Sequence, residues 1–256
     1  MTFIVVLVAL LIERFFDWSH LRAWSWYHTY LKFIMRYLHQ SSPYMMLMGT
    51  ILPVLLGVSV MTWLLKGWLY GFVELVAQLA ILLYCLGPQN LWAYAYGTLT
   101  AFKGSDAAST SSSRKQFINS MFIEANRRIF AILFWYVVLG PLGAVLYRSI
   151  SMTTKDEAYA HHVHSTNTVL ATLDWIPARI LTFLFALGGH FVQVFVCWRQ
   201  KIMQGLHGND SLLSECGQAA LGHEKDELVM ANHAVGLIDR TFVMALVMIA
   251  VMVLLM

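Results

Sequence analysis

From Tyr44 to Leu65 the chain carries no charged side chain at all. A bilayer needs about 20 consecutive apolar residues for one helical crossing, so this run reads as a membrane helix. The rest of the chain must be built around it. Five further apolar runs share its character: Phe3 to Ile12, Trp68 to Leu86, Ile129 to Tyr147, Ile180 to Trp198 and Thr241 to Met256. Hydrophobic residues make up 59% of the 256 and charged residues 12%. Soluble domains carry about 25% charged residues. The expected fold is therefore all-α: a polytopic helical membrane protein with about four to six membrane helices and amphipathic cytoplasmic helices. It is expected to form a single integral membrane domain over 1–256.

Several partner classes are excluded or disfavoured by composition. A net charge of +3, with Lys and Arg placed between apolar runs, does not point to nucleic acid. The partner implied throughout is the lipid bilayer. Trp18, Trp24, Trp26, Tyr27 and Tyr30 read as an interfacial aromatic belt, not as base-stacking groups. Cys85, Cys197 and Cys216 are odd in number and form no CxxC, so burial is expected for each and a disulfide framework is not. The first run has no basic residue before it and is followed directly by Glu13-Arg14, which reads as a retained helix and not a cleavable leader.

Basic residues orient the helices. The segments 14–43, 88–128 and 199–240 hold most of them and are assigned to the cytoplasm, with the N-terminus outside. Gly140-Pro141-Leu142-Gly143 interrupts the run 129–147. That run either spans or forms a re-entrant hairpin, and the second path would place 149–176 in the cytoplasm. Residues 89–103 have helical apolar spacing. The low-complexity stretch 104–116 is expected to be a flexible cytoplasmic loop, with helix resuming near Gln116.

Polar groups in such a chain are the functional candidates, and each has a structural reading beside it. Glu74 lies in an apolar run, where an ionisable side chain is a functional candidate by default. Gln78, one turn on, offers it a simple hydrogen bond. His190 and Gln193 lie on one face of the helix expected for the fifth run, and polar packing explains them better than a metal. His161-His162-Val163-His164 places only two imidazoles on one helical face, with no third ligand. Glu124 and Arg128 are spaced for an i,i+4 ion pair. In Leu173-Asp174-Trp175-Ile176-Pro177-Ala178-Arg179, Asp174 reads as a helix cap, Pro177 as a first-turn residue, and Arg179 as snorkelling or paired with Asp174. No phosphate-binding loop, dinucleotide fingerprint, zinc-protease helix or serine elbow occurs.

These pieces together resemble the AmpE family, which is in turn similar to the CobD/CbiB cobinamide synthases. The resemblance rests on Leu7 to Phe16, on Asn126-Arg127-Arg128 leading into Phe134-Trp135-Tyr136, and most specifically on Leu173 to Arg179. The synthase pattern is only partly kept. Glu124 and Asn126 match, with alanine between them. Tyr147-Arg148 match, but Ser151 and Thr154 stand where Asn and Asp are expected. Leu170-Ala171 stand where two aspartates are expected. Asn209, Glu215 and Ala219-Ala220-Leu221-Gly222 echo a later loop.

An ATP-dependent ligase needs carboxylates to hold magnesium beside the phosphates, and carboxylates are what the comparison loses. The resemblance therefore implies a shared scaffold without the synthase reaction: no catalytic residue and no certain cofactor. It implies an accessory, regulatory protein of the inner membrane of a Gram-negative bacterium, linking cell-wall recycling to β-lactamase induction. An AmpD-type amidase or a cell-wall metabolite would be its partner. The ligand-binding residues it implies are Glu124, Asn126, Arg128, Arg148, Asp174, Arg179, Asn209 and Glu215, with Glu74 and His190 as intramembrane polar groups. The alternative is a membrane-bound amide-forming enzyme using ATP and magnesium. Transport through Glu74 and His190 ranks below both.

Overall fold

The computed structural model describes residues 2–15, 24–38, 42–66, 71–87, 90–103, 111–156, 163–203, 205–222 and 227–255. Among these the fold is all-α. The helices are α1 (Thr2–Phe15), α2 (Ser25–Leu38), α3 (Pro43–Leu65), α4 (Phe72–Leu86), α5 (Leu91–Lys103) and α6 (Ser111–Ala125). A π-helical turn, Asn126–Phe130, leads into α7 (Ala131–Leu139) and α8 (Pro141–Thr153). There follow α9 (Val163–Gly188), α10 (Phe191–Lys201), a 3-10 turn Leu206–Gly208, α11 (Asn209–Leu221) and α12 (Glu227–Leu255). Four apolar stretches are long enough to cross a membrane: Tyr44–Leu65, Phe72–Phe102, His164–Gly188 and Leu228–Met252. That number lies within the four to six expected from sequence.

The short first helix and the break at Gly140 follow the sequence expectation, while boundaries differ from it in three places: the start of α6, the join of α9 and α10, and the start of α12. At 14 residues, α1 is shorter than the roughly 20 a crossing requires. The run 129–147 is divided at Gly140, whose φ of 68° only glycine adopts easily. Helix α6 begins at Ser111, so 111–116 is helical, and 104–110 lies outside the described residues. The run 180–198 is split between α9 and α10 at Gly188-Gly189-His190. Helix α12 starts at Glu227, well before Thr241, which takes Asp239 and Arg240 into a helix able to span. Of the histidine cluster, His161 and His162 lie outside the described residues. Among those described, no three metal-ligating side chains come together.

The chain, expected as one domain, groups into two compact units, each made of two separate segments. The first comprises 1–88 and 132–173. In it α3 packs on α8, α2 and α4, while α4 also packs on α1 and α8. Ser42 and Pro43 start α3: the Ser42 hydroxyl accepts from the Met45 amide at 3.4 Å, and proline fits the first turn, where an amide hydrogen is not needed. Trp24, Tyr27, Leu31 and Met46 form a buried cluster. The Tyr27 hydroxyl donates to the Ser149 carbonyl at 3.2 Å.

Arg148 is buried in this unit. Its guanidinium lies over the Trp24 ring, 5.9 Å from the centroid, and fills the space beside Gly87. A Cβ on Gly87 would come within 2.0 Å of that guanidinium, and Gly87 has a φ of 92°. The backbone conformation is what favours glycine there, and a side chain would also have to displace the guanidinium.

The second unit comprises 89–131 and 174–256. Helix α11 packs on α10, α6 and α12, and α12 packs on α6 and α5. The Asn90 side chain caps α5 by accepting from the Trp92 and Ala93 amides at 2.9 and 3.3 Å. Close approach is set by glycines: a Cβ on Gly217 of α11 would stand 2.4 Å from the Phe122 ring of α6. One on Gly189 would stand 2.5 Å from the Ala220 carbonyl, which instead accepts the His190 amide at 3.1 Å. The Cys197 and Cys216 sulfurs meet at 2.7 Å between α10 and α11, both as free thiols. Burial, with Cys197 as neighbour, pushes the Cys216 thiol above its ordinary range.

Candidate functional site

The π turn places the site. One extra residue is held in the turn, with the Ala131 amide bonded five residues back to the Asn126 carbonyl. Such single turns recur at functional positions because they re-aim consecutive side chains. Here Asn126 and Arg127 reach the segments that begin at Asp174 and Asn209, while Arg128 turns to Glu124 and Tyr94.

Asp174 is not a cap, as the sequence suggested. It and Pro177 both lie inside α9, which starts at Val163. Proline lacks an amide hydrogen, so the carbonyl four residues earlier loses its helical donor. That carbonyl belongs to Leu173, and the Trp135 indole donates to it at 3.2 Å. The motif is therefore an interrupted helix whose freed carbonyl is satisfied within the first unit.

Asp174 is 3% exposed. Its carboxylate accepts from the Asn126 amide at 3.2 Å and faces the Arg127 Nε at 3.7 Å. Arg127 reaches on to Asp210, donating from one nitrogen to both carboxylate oxygens at 3.0 Å. A buried acid, an amide and an arginine are thus tied to the first turn of α11. Burying a charge this deeply requires such pairing.

Arg179 donates to the Ile202 carbonyl at 2.8 Å, the Trp175 carbonyl at 2.9 Å and Asn209 Oδ1 at 3.0 Å. Its guanidinium also lies 4.0 Å from the Trp175 ring centroid, within cation–π range. Arg128 pairs with Glu124 and sits 5.7 Å from the Tyr94 ring centroid. Three polar atoms of this turn are buried without a hydrogen-bond partner in the structure, and while Arg127 Nε faces the Asp174 carboxylate at 3.7 Å, the other two, Asn126 Oδ1 and Arg128 Nη1, face no ion partner with those atoms. One accepts and the other donates.

The expected candidates divide accordingly. Glu124, Asn126, Arg128, Asp174, Arg179 and Asn209 form short-range pairs on α6, the π turn, α9 and the start of α11. Glu215 is on α11 but is bound to Lys201 and Ser211, which hold its carboxyl below the usual range. Arg148 belongs to the other unit, against Gly87 and Trp24. Glu74 stands in the first turn of α4 and accepts from Gln78 at 3.1 Å, the simple contact expected of it. His190 does not share a helical face with Gln193; it precedes α10 at the glycine break, in the N-cap position but without a side-chain capping bond. Arg127 and Asp210 were missed as site residues. Their separation of 83 residues leaves no spacing signal, and only the need of buried Asp174 for a cation pointed to them.

Four stretches able to span, an all-helical fold and a buried acid–amide–arginine knot define a polytopic helical membrane protein with a polar site inside one unit. The chain belongs to the AmpE family: the family model described as regulatory signalling modulator protein AmpE matches residues 1–128 and 99–256. It is similar to Protein AmpE of Shigella flexneri, 24% identical over 98% of both chains. It is also similar to the cobalamin biosynthesis protein CobD of Chromobacterium violaceum, 32% identical over 110 residues, and to that of Stutzerimonas stutzeri, 29% identical over 100. These matches cover 41% and 37% of this chain and only 35% and 33% of those relatives. No solved structure matches.

Proposed function

We propose that this protein is a regulatory component of a bacterial inner membrane that binds a small anionic ligand at the π turn and passes the bound state to a signalling partner. The observation that carries the ligand site is the pair of buried, partnerless atoms, Asn126 Oδ1 and Arg128 Nη1. Each costs about 1–3 kcal/mol while unsatisfied, so a ligand offering one acceptor and one donor recovers that cost. Arg127 and Asp174 hold the turn in place. Family membership supports the regulatory role. In this reading the pathway is cell-wall recycling and β-lactamase induction, in a Gram-negative host, with a cell-wall fragment as ligand and an AmpD-type amidase as partner. Titration of the purified protein with anionic cell-wall fragments and nucleotides is the test. Saturable binding, weakened at least tenfold by Arg128→Ala and by Asn126→Ala, is the expected result. Absence of binding across that panel overturns the ligand site.

The similarity to cobalamin biosynthesis proteins favours a second reading, an ATP- and magnesium-dependent amide-forming enzyme. Its carboxylates would be Glu124, Asp174 and Glu215, but Arg128, Arg127 and Lys201 already stand against them. Magnesium would have to displace a cation at each, so the donor set fits poorly. Magnesium-dependent ATP binding by the purified protein would favour this reading over the first.

A further inference from the structure

A second polar site lies in the first unit, in a cleft of about 310 Å3. That is the lower end of the roughly 300–1,000 Å3 typical of ligand sites, a size for a headgroup more than for a whole amphiphile. Lys66, Glu74 and Gln78 line it together with Trp63, Leu139 and Pro141. The charges sit where an apolar span ends: α3 closes at Leu65, Lys66 follows, and Glu74 is in the first turn of α4, which packs against α3.

The carboxylate is oriented from behind. The Tyr136 hydroxyl donates to Gln78 Oε1 at 3.0 Å, which fixes the amide so that its nitrogen donates to Glu74 at 3.1 Å. The Tyr136–Gln78 chain fixes the position of the Glu74 carboxylate and leaves it facing the cleft. The apolar walls are open: Trp63 is 74% exposed and Leu139 49%. Trp beside Lys at the end of a span is the composition of a membrane–water boundary.

We propose that this cleft binds the headgroup of an aminophospholipid, a phosphatidylethanolamine. The primary ammonium donates to Glu74, the phosphate faces Lys66, and the acyl chains lie on Trp63, Leu139 and the exposed side of α3. A choline headgroup has no N–H to donate, and a glycerol headgroup has no cation for Glu74. The site is independent of the π-turn ligand, and neither proposal depends on the other.

The test is lipid retention by the purified full chain, read by native mass spectrometry against vesicles of phosphatidylethanolamine, phosphatidylcholine or phosphatidylglycerol. Ethanolamine lipid should be retained about tenfold over choline lipid. Glu74→Gln should abolish that preference, and Lys66→Ala should weaken retention of both ethanolamine and glycerol lipids. Tyr136→Phe keeps every charge and should reduce the preference only in part, so a misfolded Glu74 variant does not leave the question open. Equal retention of the three lipids by the unaltered protein overturns the proposal. So does an ethanolamine preference that survives in a folded Glu74→Gln protein, or full competition by soluble phosphoethanolamine, which would make the site one for a free metabolite.

Discussion

At the residue scale the decisive group is Asp174. Its carboxylate is buried between an amide and an arginine, so removing it leaves the Asn126 amide without its acceptor and Arg127 with Asp210 alone. Breaking a fully buried pair costs about 3–5 kcal/mol, but Arg127 is 35% exposed and can rehydrate. Asp174→Leu should therefore lower stability by about 2–4 kcal/mol, and Asp174→Asn, which still accepts from Asn126, by about 1 kcal/mol. Denaturant unfolding in detergent measures both. Glu215 gives a pH signature of the opposite size. Lys201 and Ser211 depress its pKa below the ordinary 4.5. Its contribution is thus complete above that value and is lost as pH falls through the lower folded-state value. With its side chain 53% exposed, that contribution is at most about 0.5 kcal/mol. The melting advantage of the unaltered protein over Glu215→Gln should stay level from pH 7 to about 4.5 and close below it.

At the scale of elements, glycine contacts decide which helices approach closely. Gly217→Ala drives a methyl into the Phe122 ring between α11 and α6. It should destabilise by about 1–3 kcal/mol, as overpacking does. Gly236→Ala, in α12, meets nothing within 4 Å and should be neutral or gain about 0.5–1 kcal/mol of helix propensity. Thermal unfolding of the two variants side by side tests the difference. The same scale shows what the sequence made legible. Uninterrupted apolar runs gave α3 and the core of α4, and Gly-Pro-Leu-Gly gave the break before α8. The start of α9 was hidden because Asp174 and Pro177 are both helix-start residues. The threonine-rich turns before them are nonetheless helical, with the Thr168 and Thr172 hydroxyls bonding back four residues at 2.9 and 2.8 Å. The candidate pairs Glu124–Arg128 and Glu74–Gln78 were legible from i,i+4 spacing. The Asn126–Asp174–Arg127–Asp210 knot was not, since its members are far apart in the chain and meet only through tertiary packing.

At the scale of the molecule, both units are discontinuous: 1–88 with 132–173, and 89–131 with 174–256. This sets an order of synthesis. When Leu173 leaves the ribosome the first unit has all its residues, while 89–131 still lack the helices they pack against. Asn126 and Arg127 then wait inside or beside the bilayer without Asp174 and Asp210. A chain ending near residue 173 should accordingly keep the first unit's protease-resistant fragments and lose those of 89–131, which limited proteolysis in membranes would read. Supplying 174–256 as a second polypeptide should restore them. No single cut yields both units whole, so the protein is made as one interleaved piece, and the charged turn at Asn126 is the part of it that must be sheltered longest.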